Sequence, residues 1–333
     1  LVPLFAAALS STERDDASQS FTDCVLDILD EGDSVPELAD KMKAVVSDES
    51  RWPVIRRDAL AVWLKLTPPD EEALELLDAI NERRIADADD ELAGKLLSHL
   101  YPVAIAPEKL LRYLRPPKKR DYIGRHSMFW AYDLPRTAPD SHLPVLLDQL
   151  AARTDLAFSD EIEFSFDCGR MLGGLLSRGL EVHGDAIPDE RLFSWLGIGV
   201  DKYGKSRRES EHVEAIAHWL GKRPERYKAV LALCYQYCLG SEHIGYCIST
   251  QEYRLHGARV PEDIGLWHLE QASQTADDQL AEKHLFEAVR SLIFQQGCAG
   301  LSLEHIEAWA EANPERKHWL QPLLFWEYPD WRM

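Results

Sequence analysis

The stretch Gly199-Val-Asp-Lys-Tyr-Gly-Lys-Ser206 fits the pattern G-x-x-x-x-G-K-[ST] letter for letter. In that pattern backbone N–H groups cradle nucleotide phosphates, the Lys reaches the outer phosphates and the Ser hydroxyl holds Mg²⁺. The chemistry works only where a strand delivers the loop to a helix N-terminus. The preceding residues, Leu192 to Ile198, could form a short buried strand, but nothing else in the chain supplies parallel strands to pair with it. No apolar strand ending in an acidic metal partner follows Ser206, and Asp201 would set a carboxylate among the phosphates. Ser206 and Glu209 instead have the S-x-x-E form of a capping box ahead of Val213, Ile216, Ala217 and Leu220. The expected role of Gly199–Ser206 is a loop between helices, with Gly199 and Gly204 as turn residues.

A second constellation is Cys234-x-x-x-Cys238-x-x-x-x-His243-x-x-x-Cys247, which has the residue types and nearly the spacing of a tetrahedral zinc site. With all four ligand positions filled by protein, such a zinc would be structural. Cys234 and Cys238 also lie one turn apart on a pattern carrying Leu231, Tyr235 and Leu239, where thiols behave as small hydrophobes lining a core. Both readings stay open at this point. The carboxylates Asp160, Glu161 and Glu163 fall where a helix N-terminus favours negative charge, and His212 and His218 are out of helical phase. Neither H-E-x-x-H nor G-x-S-x-G occurs. The residues therefore predict a chain that is not an enzyme, with no catalytic, cofactor-binding or metal-binding residue and no cofactor.

The elements that would position these residues are helices. Apolar residues recur at three and four spacing: Leu38, Met42, Val45 and Val46, then Ile55, Ala59, Val62 and Trp63. The rhythm continues through Leu74, Leu77 and Ile80, Leu92, Leu96 and Leu100, and Leu143, Leu146, Leu147 and Leu150, each set bounded by Pro, Asp, Asn or Gly. Breaks are short and come in pairs, as in antiparallel hairpins. First helices starting near Pro36, Pro69, Pro107, Ser141 and Pro188 repeat every 33 to 47 residues, the period of stacked helical repeats. The expected fold class is all-α, an α-solenoid of stacked antiparallel helix hairpins. Residues 1–180 form its regular part and residues 181–333 a less regular continuation.

Charge and composition exclude several function classes. A net charge of -20 repels phosphate backbones and disfavours nucleic acid. Two basic clusters, Arg112–Arg120 and Lys202–Arg208, run against that sign and are candidate anion or partner sites. No run of about 18 apolar residues exists, which excludes a membrane-spanning helix. Six cysteines do not make a disulfide framework, so a reducing cytoplasm is the simplest setting. The opening LVPLFAAALSS reads as the tail of a helix rather than a signal peptide. It also lacks an initial Met, from which the chain is expected to be either a piece of something longer or a processed product.

Two resemblances sharpen this. The segment Arg51–Leu66, RWPVIRRDALAVWLKL, resembles the second helix of a HEAT repeat, in which an acidic residue precedes a Val-Arg-x-x-Ala core; here Asp48 precedes Ile55-Arg56-Arg57-Asp58-Ala59. The hairpins from about 36 to 178 match that family loosely in length and rhythm. Three further segments, Arg191–Ile198, Lys205–Leu231 and Leu303–Leu320, share Trp-Leu and Pro-Glu-Arg phrases. They resemble the C-terminal helical region of large bacterial STAND-type proteins, which carry a NACHT-like NTPase ahead of helical repeats. The resemblance implies a sensor for a protein partner, such as a phage protein, coupled to the remainder of a larger chain. The rivals are a free-standing helical scaffold and a nucleotide-binding protein using Gly199–Ser206. Most of the ten tryptophans are expected in the core of a thin two-layer fold, with some of Trp309, Trp319, Trp326 and Trp331 at a partner surface.

Overall fold

The computed structural model describes residues 1–119, 122–153, 166–200, 210–255, 257–294 and 301–324. Among them the chain is helical throughout, without a β-strand. Its contacts fall into two compact units, Leu1–Gly179 and Leu180–Met333.

In the first unit the helices are α1 (Val2–Ser10), α2 (Asp16–Glu31), α3 (Ala39–Ser47), α4 (Pro53–Lys65), α5 (Asp70–Asn81), α6 (Glu91–Leu100) and α7 (Pro107–Leu110). Next come α8 (Arg125–Met128), a π turn leading to α9 (Leu134–Thr137), α10 (Leu143–Ala152) and the start of α11 (Phe166–His183). The apolar segment at the start is helical over Val2–Ser10. α3 pairs with α4 and α5 with α6, while α4 also lies on α2, α6 on α4 and α8 on α6. The predicted apolar sets are the buried ones, with one shift: Ala73, Leu76, Leu77 and Ile80 carry the buried face of α5, and Leu74 is half-buried. All five expected hairpin starts sit at helix N-termini, with Pro107 inside the first turn of α7, where its missing N–H costs nothing.

Polar groups lock the turns of this unit. Arg56, the arginine of the HEAT-like phrase, is buried and donates from Nε to Val46 O at 2.8 Å and from Nη2 to Ala86 O at 2.6 Å, tying two successive turns together. Buried Asp87 accepts the N–H groups of Leu92 and Ala93 at the head of α6, satisfying donors that a helix start leaves open. Gly94 lets α8 come close to α6: a Cβ there would lie 2.1 Å from His126 N.

The second unit comprises the rest of α11, α12 (Asp189–Leu196), α13 (Ser210–Gly221), α14 (Pro224–Tyr237), α15 (Ile244–Gln251), α16 (Ile264–Gln274), α17 (Asp278–Phe294), α18 (Leu303–Ala312) and α19 (Leu320–Leu324). α14 packs on α12 and α13, and α16 pairs closely with α17. Leu269, Ala272, Leu285, Val289, Ile306, Trp309 and Leu320 belong to one core cluster of this unit. Leu192–Leu196, weighed above as a strand, is helical, because Leu192, Trp195 and Leu196 bury one face of α12 at helical spacing.

One device recurs in both units. Arg51 donates to Leu9 O at 3.1 Å and Ser11 O at 2.7 Å. Arg178 reaches Pro135 O, Ala138 O and Asp140 Oδ1. Arg226 reaches Asp185 O and Asp189 Oδ1, and Arg316 reaches Ala272 O, Thr275 O and Asp278 Oδ1. In each case an arginine 37 to 44 residues downstream grips the turn between two earlier helices. Its donors meet carbonyls at or just past the end of one helix, where the dipole is negative, and in the last three cases also an Asp near the start of the next. Both Pro-Glu-Arg phrases, at Arg226 and Arg316, serve this clamp.

Candidate functional site

The C-terminal turns of α14 present two contrasting faces. Inward, Leu231, Cys234 and Tyr235 are buried. The Tyr235 ring stacks on His284 of α17 with centroids 4.0 Å apart and planes at 13°. His284 Nδ1 and His268 Nδ1 lie 2.9 Å apart, so one ring donates and the other accepts. Trp267 meets both histidines edge-on. Burial drives both imidazoles toward the neutral form, His284 down to about 4 and His268 well below its ordinary value. Burial likewise pushes Tyr235 upward, and its hydroxyl has no hydrogen-bond partner among the described residues.

Near this pair Glu252 is raised to about 7, first by burial and then by Glu287, with Lys283 and Arg290 opposing. Two histidines, a tyrosine and a carboxyl group with a shifted pKa have the residue types of an acid–base site. The geometry argues for a core instead: His268 and His284 are buried under Trp267 and Tyr235.

Outward, α14 ends in Tyr237, which is 65% exposed, and the following turn and α15 add Leu239 at 48% and Tyr246 at 62%. The turn is closed by a disulfide between Cys238 and Cys247, with Cα atoms 5.7 Å apart, and Gly240 supplies the left-handed step at φ 77°. Phe193 of α12 backs the patch, its ring 6.1 Å from that of Tyr237, with the Arg254 guanidinium lying over it. Large exposed aromatic side chains on a braced turn are the composition of interface hot spots.

The sequence singled out Cys234, Cys238, His243 and Cys247 together, and the structure separates them. Cys238 and Cys247 are joined to each other. Cys234 is a buried free thiol raised to about 12 by burial, and His243 is exposed at the start of α15. The disulfide departs from the expected fully reduced chain. The turn after α14 folds α15 back, which brings the two sulfurs together, and spacing alone does not foretell that approach. Among the described residues no group of three or more His, Cys, Asp or Glu converges as a metal site. Gly199 takes a positive φ of 72° as a turn glycine. Asp201–Ser206, the Lys202–Arg208 cluster, Asp160, Glu161, Glu163, Trp326 and Trp331 lie outside the described residues. In the other basic cluster Arg112 pairs with Asp78 at 2.7 Å, and Arg115 and Lys118 pair with Asp90 at 2.7 and 3.3 Å, so these charges are already taken up by neighbouring carboxylates.

What sequence reasoning missed is the Tyr237–Leu239–Tyr246 surface. Its signal, tyrosines off the apolar rhythm flanking Gly240, was present but reads equally well as core. Among the described residues no helix is long and apolar enough to cross a membrane. No family model, curated protein or solved structure matches this chain.

Proposed function

We infer that this chain is a non-catalytic helical-repeat region that recognises a protein partner through an exposed surface, its helix hairpins stacked as a HEAT-like α-solenoid. The observation that carries the reading is the braced aromatic surface of Tyr237, Leu239 and Tyr246. It presents anchors of the kind that dominate binding energy, on a turn that the Cys238–Cys247 bond braces while it is formed. The arginine clamps spaced 37 to 44 residues support the repeat arrangement, because one contact between neighbouring hairpins recurs at nearly one period. By resemblance, the larger assembly is a bacterial STAND-type defence NTPase working in the cytoplasm, the partner a phage protein, and any nucleotide site lies in another part of that assembly. In that compartment glutathione would reduce a fraction of the Cys238–Cys247 bond, loosening the turn.

The test is site-specific photo-crosslinking from position 246 in bacteria before and during phage infection. The reading expects one dominant infection-dependent adduct, lost when Tyr237→Ala and Leu239→Ala are added. An unchanged adduct pattern in those variants, or none above background, would remove this surface from the proposal.

A further inference from the structure

In the first unit the helices α2, α4, α6 and α8 follow one another as neighbours, each later helix covering a flank of the one before it. The flank of α2 toward α4 is marked by Gln19, whose Oε1 accepts Trp52 N–H at 3.1 Å, and by Asp23, which lies in the fields of Asp58 and Arg57. At about 100° per residue Phe21 and Ile28 fall on roughly the opposite side of the helix. They are 47% and 53% exposed, and Ala17 and Cys24 beside them are exposed as well. α1 packs on a different side of α2, where Thr22 Oγ1 donates to Ala8 O at 3.4 Å. Singly exposed apolar residues need no explanation, but a stripe at i, i+3 and i+7 along one helix flank forms a patch of the kind that receives a partner.

The charge around the patch selects the occupant. α2 carries Asp16, Asp23, Asp27, Asp30 and Glu31 with no Lys or Arg, and α1 carries no charge. The basic groups close by are engaged: Arg14 with Asp48, Lys41 with Ser10 Oγ, and Lys65 with Asp30 O and Gly32 O at the end of α2. A second copy would set these carboxylates against their own equivalents on a chain of net charge -20, which repels. A helix suits the shape, since the row of neighbours covers the corresponding flanks of α4 and α6 with a helix. We propose that the outer flank of α2 docks a basic amphipathic helix, its apolar residues on Phe21, Cys24 and Ile28 and its Lys or Arg residues beside Asp27 and Glu31. This proposal uses none of the residues Tyr237, Leu239 and Tyr246, so its failure leaves that reading untouched.

Two labelled synthetic peptides of about 18 residues, one Leu/Lys and one Leu/Glu with the same leucine spacing, are titrated with the full chain by fluorescence anisotropy at about 150 mM salt. Binding of the Lys peptide is expected to weaken at least about tenfold in a Phe21→Ser/Ile28→Ser variant and several-fold in Asp27→Asn/Glu31→Gln, with the Leu/Glu peptide not bound. Circular dichroism melts keep folding separate from binding, as all four side chains are at the surface. Equal affinity for wild type and the apolar variant, as nonspecific attraction to an acidic protein gives, overturns the proposal. So does a wild-type dimer in light scattering that Phe21→Ser/Ile28→Ser returns to monomer, which would make a second copy the occupant.

Discussion

Arg316 and Asp278 are 38 residues apart in the chain and 2.9 Å apart in space, the same sequence separation at which Arg178 meets Asp140. In both clamps the carboxylate is the exposed partner, and the guanidinium also donates to two backbone carbonyls of the turn before it. The carbonyl bonds carry more of the energy, since exposed ion pairs contribute under about 1 kcal/mol whereas each carbonyl left unsatisfied costs about 1 kcal/mol or more. Arg316→Ala is expected to lower stability by about 2 to 3 kcal/mol and Asp278→Asn by less than about 1 kcal/mol. Urea midpoints of the two variants check the difference, and equal losses would mean the ion pair dominates.

Burial sets an acid limit through the histidines. His284 in the folded chain titrates near 4 against an ordinary 6.5, so the unfolded chain binds protons first. The stability it contributes is present above pH 6.5 and is lost as pH falls from there to about 4. His126, held neutral under Trp130 by burial, acts in the same direction over the same window. His284→Phe should flatten the acid limb of a denaturation series between pH 7 and 4, although it removes the bond to His268 and lowers stability at pH 7.

Glu252 works with the opposite sign. Its folded value near 7 exceeds the ordinary 4.5, so the ionised carboxylate costs stability above pH 7 and that cost is relieved as pH falls toward 4.5. Glu252→Gln is expected to stabilise the chain at pH 8 by on the order of 1 to 3 kcal/mol, with the gain vanishing near pH 4.5. A pH-independent change would show that Lys283 and Arg290 already neutralise the group.

Two glycines separate packing from propensity. Gly94→Ala forces its Cβ against the backbone of His126 and should cost about 1 to 3 kcal/mol by prising α8 from α6. Gly245→Ala meets nothing within 4 Å and should stabilise α15 by a few tenths to about 1 kcal/mol. Thermal melts of both variants settle the order.

Nucleotide binding by the Gly199–Ser206 stretch is testable directly. Titration of the wild type with a fluorescent ATP analogue is expected to give no saturable signal, and Lys205→Ala is expected to change nothing. Tight binding lost in that variant would return the phosphate-loop reading.

The helices themselves were legible in the sequence, because a buried face imprints a period of about 3.6 residues on the chain. The sets at Leu38–Val46, Ile55–Trp63 and Leu92–Leu100 are buried where the rhythm placed them. Local chemistry marked the turns equally well, with Pro36, Pro69, Pro107 and Pro188 at helix starts. What only the tertiary structure decided is which residues meet across the turns. Nothing local couples Arg316 to Asp278, His268 to His284 or Cys238 to Cys247, because each pairing depends on how one helix folds back on another. The same holds for exposure: Tyr235 and Tyr237 are two residues apart and alike in chemistry. A step of two along a helix turns the side chain by about 200°, and it is the placement of α17 against α14 that buries the first and leaves the second in solvent.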